Sequence, residues 1–300
     1  MELWIPIAIL AALSQSIRTA IQRHMKGHLG DYGASAIRFI YAIPFSFVWL
    51  FIVFYTDTEN KFPTLSIKYF SLVTAGALSQ IFFTVILLKL FNYKNFLVGI
   101  AFSKTEVLFA AIIESMLLST MINIQFGIAI IFGTCAVILL SLKGSIFSRK
   151  DIFSSLRSES TLIGIFSAIA LSVSVITFRY AVNSLEGDFL LRATMTSAIA
   201  VVGQAIVMII YLFLYRKNEL IATLILWRPG LTAGFFAAIT TAAWFSAFGL
   251  YRAAPVRAIG QIELIFSLAI TLFIFRQKIT RIEILGVLLL VVSMLLVIFD

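Results

Sequence analysis

The sequence is poor in charge. Of its 300 residues, 12% are Asp, Glu, Lys or Arg and 61% are apolar, whereas a soluble domain carries about 25% charged residues. Mean hydropathy is +1.05, so water is not the main solvent of this chain. There are 5 prolines, and no long polar tract that would read as a soluble domain. The single cysteine, Cys135, excludes an intrachain disulfide and a Cys-rich metal site; set in an apolar run, it is expected to be a small core residue. No Gly-x-x-x-x-Gly-Lys-Ser/Thr loop, His-Glu-x-x-His pair or Gly-x-Ser-x-Gly elbow occurs, so ATP hydrolysis, zinc-protease chemistry and serine-hydrolase chemistry have no motif to rest on. His24 and His28 are four apart but have no Cys or carboxylate set around them; solvated loop histidines are expected, with no metal and no cofactor. The N-terminus carries Glu2 and no basic residue before its first apolar run, unlike a cleavable signal peptide.

What is present is a series of apolar runs, each near the roughly 20 residues that a membrane-spanning helix needs. They cover 3–22, 34–56, 66–91, 95–118, 122–142, 160–182, 188–214, 224–250, 255–275 and 280–299. The expected fold is an all-α integral membrane protein with ten transmembrane helices. Separators are short and polar, such as Lys26 to Asp31, Asn92 to Asn95 and Glu186 to Asp188; Ser119 to Asn123 is the least polar of them. Pro255 suits the first turn of the ninth span, where its missing N–H costs nothing. The longest polar stretch, Lys143 to Glu159, divides the chain into residues 1–142 and 160–300 and reads as a basic linker.

The net charge of +9 is gathered in short clusters between apolar runs. Such clusters record orientation in a membrane and do not form a nucleic-acid surface. Thirteen Lys and Arg fall on the side away from the N-terminus and five on the N-terminal side. The richer side is then cytoplasmic, and both termini face outward from a plasma (inner) membrane crossed many times.

The two halves repeat. Thr74-Ala75-Gly76 recurs as Thr232-Ala233-Gly234, Gly33 and Arg38 as Gly187 and Arg192, Lys104-Thr105-Glu106 as Gln261-Ile262-Glu263, and Arg23 as Arg179. The offset drifts by only a few residues and the order is kept. One tripeptide match is common in so biased a composition, but a series in register that includes intramembrane charges is not. Five spans is an odd number, so the second copy must insert upside down relative to the first. Inverted repeats serve alternating access, because exchanging the conformations of the halves exchanges inward-open and outward-open states.

This organisation resembles the EamA-type branch of the drug/metabolite transporter superfamily over the whole chain. The resemblance rests on the two five-helix repeats, on Gly-Ala-Ser-Ala-Ile-Arg-Phe (33–39) opening the second span, and on Ser-Lys-Thr-Glu and Gly-Gln-Ile-Glu in the fourth and ninth. Many members carry Gly-Glu between spans four and five and between nine and ten. Here those places read Leu118-Ser119-Thr120 and Arg276-Gln277-Lys278. The resemblance implies secondary transport of amino acids, nucleosides, sugars, cations or related metabolites.

Ionisable groups inside the bilayer cost on the order of 2.5–3.5 kcal/mol on insertion scales, so each needs a partner, water or a function. Glu106 and Glu263 fall deep in spans four and nine. Arg38 and Arg192 sit about one turn inside spans two and seven, each entering from the side of its own half's Glu. These four are the candidate lining of a substrate or coupling site. Arg would hold a carboxylate or phosphate; Glu would bind an amine or carry a coupling proton. The competing reading is two structural ion pairs. Lys104 points about 200° away from Glu106 on a helix, so it either meets a neighbouring helix or is itself the lining residue. Gln261 and Gln80 are further candidates, and Trp244 could stack on a ring or cation, although packing is its default role. Gln15, Gln80 and Gln204 are expected to hydrogen-bond between helices. Arg18 is placed near a span end and expected to snorkel. Gly230 with Gly234, and Gly164 with Ala168 and Ser172, form small-residue faces suited to close helix packing.

The expected activity is therefore movement of a small polar or zwitterionic metabolite, an amino acid or related compound, by a monomer or homodimer among membrane lipids. Flipping of a lipid-linked substrate is the alternative. An intramembrane enzyme using Glu106 or Glu263 is a third reading, against which the repeat argues because catalysis does not need symmetrical placement.

Overall fold

The computed structural model describes residues 3–56, 62–118, 124–141, 157–250, 256 and 259–298. No strand occurs among them. Most of the Lys143–Glu159 linker, the Ser119–Asn123 separator and Pro255 lie outside the described residues.

The helices in chain order are α1 (Trp4–Ile40), α2 (Ile43–Thr56), α3 (Ile67–Leu90), α4 (Phe96–Lys104), α5 (Glu106–Leu118), α6 (Ile124–Ser141), α7 (Glu159–Asn183), α8 (Phe189–Tyr215), α9 (Lys217–Ile225), α10 (Trp227–Leu250), α11 (Ile262–Ala269), which runs into a π-turn at Ile270–Ile274, and α12 (Arg281–Ile298). The polar separators start helices as short polar side chains should. Asn95 Oδ1 accepts from the Val98 N–H at 2.9 Å, and Asp188 Oδ1 accepts from the Leu190 and Leu191 N–H groups at 2.9 and 3.2 Å. Thr280 and Glu283 form a reciprocal capping box: Thr280 Oγ1 accepts from the Glu283 N–H and Glu283 Oε2 from the Thr280 N–H.

Among the described residues, four stretches are long and apolar enough to cross a membrane, Trp4–Thr56, Ile67–Leu90, Glu159–Asn183 and Phe189–Tyr215. A fifth is the pair Lys217–Ile225 and Trp227–Trp244, bent by 86°. The backbone breaks three of the apolar runs. The run 95–118 is interrupted at Thr105, the run 255–275 at Gln261, and the run 224–250 starts at the sharp bend after α9.

The first stretch folds back on itself. Gly30 has φ +69°, a left-handed conformation that L side chains rarely adopt. Gln22 Nε2 donates to the Ala34 carbonyl at 2.9 Å. On a straight helix these residues would stand about 18 Å apart, so the chain before Gly30 and the chain after it form an antiparallel hairpin. His24 and His28 are exposed on its helical end and not in a loop.

The chain divides into two compact units, residues 1–81 with 174–263, and residues 82–173 with 264–300. Each takes segments from both sequence halves. In the first, α10 packs on the hairpin: a Cβ at Gly230 would strike the Tyr41 ring, and one at Gly234 would strike the Tyr41 and Ala42 backbone. Both glycines are thus required by close approach. Gly76 of α3 similarly faces Thr177 and Phe178 of α7. In the second unit, α6 and α12 run antiparallel. Gln125 Nε2 donates to the Leu296 carbonyl, Ser293 Oγ to the Ala129 carbonyl, and Gly286 lies against Leu140. The small face of α7 is used as expected, with Gly164 against Phe102 and Ser172 Oγ donating to the Glu106 and Ala168 carbonyls at 2.9 and 2.8 Å. Cys135, expected in the core, is exposed on α6.

Candidate functional site

The densest buried charge lies in the first unit, on the inner face of the hairpin. Gln15, Arg18 and Gln22 recur at i, i+3 and i+7 and so share one side of α1. Gln22 is spent on Ala34. One turn before Gln22 is Arg18, and one turn after Ala34 is Arg38. The antiparallel pairing therefore brings the two arginines to the same level, where they repel one another. Arg18 is 5% and Arg38 7% exposed. The Arg38 guanidinium lies 4.9 Å from the Phe39 ring centroid.

Glu263 closes this group from the first turn of α11 and is 1% exposed. Its Oε2 accepts from Gln15 Nε2 at 2.8 Å, and Gln15 Oε1 accepts from Trp244 Nε1 at 3.1 Å. The carboxylate also attracts Arg18. Gly260 makes the arrangement possible, because a Cβ there would meet the Trp244 ring at 2.6 Å. Trp4, Ala8, Ala247 and Val256 pack beside Trp244 as an apolar cluster. Trp244 accordingly does both jobs: its ring packs, and its N–H orients the Gln15 amide that holds Glu263.

Arg18 departs from expectation. It does not snorkel but is buried in the middle of this group. Its signal was the polar stripe Gln15, Arg18 and Gln22, which a reading by distance from the span end overlooks. Glu219 of α9 was also missed. Its Oε2 accepts from the Gly33 N–H at 2.8 Å, beside Gly30. It satisfies an orphan donor at the start of the second arm of the hairpin, where negative charge is favoured by the helix dipole. Tyr41 Oη adds a bond to the Thr223 carbonyl at 2.8 Å.

The other expected site residues fall into separate places. Gln80 and Gln204 bond each other between α3 and α8, at 2.7 Å, as membrane-buried amides do. Arg192 is half-buried; its Nη1 donates to the Leu185 carbonyl at 3.0 Å and its guanidinium lies 5.6 Å from the Phe189 ring centroid, so it ties down the turn before its own helix. Gln261 is buried in the turn preceding Glu263. In the second unit, Glu106 is 9% exposed and opens α5 directly after the Thr105 interruption, while Lys104, partly exposed, closes α4 just before it. Lys94, also buried, donates from Nζ to the Leu140 carbonyl near the end of α6. Among the described residues no cluster of His, Cys, Asp and Glu could hold a metal.

No protein-family model matches the chain, and no curated protein matches it. Solved structures do. One, described only as a crystal structure of a protein, superposes with a TM-score of 0.60 at 12% sequence identity, over 98% of this chain and 94% of its own. At that identity the likeness is one of fold, and it extends over nearly the full length of both chains.

Proposed function

We propose that the chain is a secondary transporter of the plasma (inner) membrane, moving a small polar or zwitterionic metabolite by alternating access between two inverted five-helix repeats of the EamA type. The observation that carries this reading is the placement of the two buried glutamates. Glu106 and Glu263 occupy matching positions in the repeat. Each stands in the first turn of a half-helix, next to a one-residue interruption at Thr105 or Gln261. Interrupted helices are how transporters expose polar groups at depth, since irregular backbone is tolerated in hydrocarbon only where protein or a wet cavity surrounds it.

Two further features support it. The 53 residues of Trp4–Thr56 would reach about 80 Å as one helix, more than twice the roughly 30 Å of hydrocarbon; the hairpin at Gly30 makes them two passes. The last helices of the two halves, α6 and α12, pair antiparallel, as copies related by an axis in the membrane plane must. The excess of Lys and Arg on the side away from the N-terminus then puts both termini outside.

The test is a stability screen of the purified protein across metabolite classes, followed by uptake of the hits into proteoliposomes with and without a pH gradient. At least one stabilising compound is expected to accumulate inside, and E106Q, eluting as a folded protein, is expected to take it up about tenfold more slowly. If no stabilising compound crosses, the transporter reading is wrong. Undiminished uptake by folded E106Q would remove Glu106 from the site.

A further inference from the structure

In the first unit, α9 is pinned on one side only. Glu219 and Thr223, four apart, face the hairpin, where Glu219 Oε2 holds the Gly33 N–H and the Thr223 carbonyl accepts from Tyr41 Oη. The opposite face carries Lys217, Ile221, Leu224 and Ile225, at i, i+4, i+7 and i+8, and all four are exposed. Arg216 and Lys217 stand at the start of α9 and Arg228 just past its end, all three exposed. Each lies against an aromatic ring. Arg216 is 5.5 Å from the Tyr32 centroid, Lys217 5.2 Å from that of Phe213 and Arg228 5.4 Å from that of Trp227. None of the three pairs with a carboxylate among the described residues. The carboxylate of α9 itself, Glu219, is spent on the hairpin. The outward surface is therefore apolar along its length and positive at both ends.

We propose that α9 lies in the headgroup layer of the bilayer and binds anionic phospholipid, whose phosphate is held by Arg216, Lys217 and Arg228. This rests on the membrane location of the chain and not on transport. The bend of 86° between α9 and α10 lays α9 nearly in the bilayer plane when α10 crosses it. A helix in that plane needs an apolar face for the acyl chains and cations at the level of the headgroups. Ile221, Leu224 and Ile225 supply the first, and the three cations the second. Trp227 brings an amphipathic ring to the same level, where such rings settle in a bilayer. The two guanidiniums match phosphate oxygens with paired N–H donors, and the ammonium acts as a point charge. A zwitterionic headgroup brings a cation of its own, which the three cations of the patch repel. An anionic headgroup does not, so charge complementarity selects it.

The experiment measures thermal unfolding of the purified full chain in detergent micelles, titrated with dioleoyl phosphatidylglycerol or with dioleoyl phosphatidylcholine. Phosphatidylglycerol is expected to raise the midpoint with saturation and further than phosphatidylcholine does, and its advantage should shrink as sodium chloride is added. R216Q/K217Q/R228Q is expected to lose that preference, by about fivefold in apparent affinity for each cation removed. K68Q removes a cation from the other end of α8, where neighbouring Tyr69 bonds Thr196, and should keep the preference. Should the triple variant not fold, the salt titration of the unaltered protein decides. The proposal is overturned by equal midpoints in the two lipids, by a preference indifferent to salt, or by one that survives in the folded triple variant. An equal rise with inorganic phosphate at matched ionic strength would make the patch a site for a free anion and overturns it too. Membrane location is read separately, by flotation with phosphatidylcholine vesicles. Failure to incorporate defeats that location and the lipid site with it, whereas incorporation without a preference for phosphatidylglycerol defeats the lipid site alone. A chain that incorporates but carries no metabolite leaves the lipid site standing and defeats the transporter reading.

Discussion

At the scale of single residues, the first unit is organised by amides that hold charges in place. Gln15 spends its NH2 on Glu263 and its carbonyl on Trp244. Q15L keeps the volume and removes both bonds, one of them to a charged group. It should cost about 2 kcal/mol, read as a fall in the thermal midpoint. W244F keeps most of the ring and loses only the indole N–H, and should cost about 1 kcal/mol in the same measurement. A larger loss in W244F than in Q15L would mean that Trp244 works by packing alone. Glutamines inside apolar runs were legible in the sequence as interhelical bonders, and Gln15, Gln80 and Gln204 behave so. Their partners were not legible, because a partner is fixed by the rotation of two helices about their axes, and one sequence does not contain that angle. Arg18 was misread for a related reason. Position along a span says how far a side chain is from water, whereas the stripe it shares with Gln15 and Gln22 says which way it faces.

At the scale of elements, glycines and breaks decide where helices meet. Gly234 lies so close to the Tyr41 and Ala42 backbone that a Cβ has no flexible neighbour to displace. G234V should therefore abolish folding or cost several kcal/mol, as overpacking does when the neighbour is main chain. Gly203 of α8 has nothing within 4 Å of a built Cβ. There G203A should stabilise by about 0.5–1 kcal/mol through helix propensity. Opposite signs at two helical glycines, read by thermal unfolding in the same detergent, test the close approach of α10 to the hairpin. Arg276 follows the π-turn with φ +49°, a conformation that costs an L residue about 1–2 kcal/mol. Glycine adopts that conformation without the penalty, so R276G should raise stability by about 1 kcal/mol. Helix starts were well marked in the sequence, because Asn95 and Asp188 cap helices with local bonds. The interruptions at Thr105 and Gln261 were invisible to hydropathy, since a single turn residue hardly changes the average of an apolar window.

At the scale of the whole molecule, the apolar character follows from composition, and the tally of cations is the ground for the proposed orientation. The proposed orientation, with both termini outside, predicts that a C-terminal alkaline phosphatase fusion is active in intact cells and a C-terminal green fluorescent protein dark; the opposite pair of results would invert the topology. The in-register repeat supplied the idea of two equivalent halves, but the compact units cut across them. Residues 174–263 join the first segment of the chain and 264–300 the middle. Sequence similarity records descent, and packing records which apolar faces found each other, so the two divisions need not agree. The hairpin at Gly30 has a consequence for biogenesis. Arg18 and Arg38 leave the ribosome early and together, while Glu263, which attracts Arg18, is synthesised near the end. Until then the nascent hairpin offers the bilayer two arginines before the carboxylate that attracts Arg18 has been made. Its stable integration must wait for the C-terminal portion, or lean on the insertion machinery in the meantime.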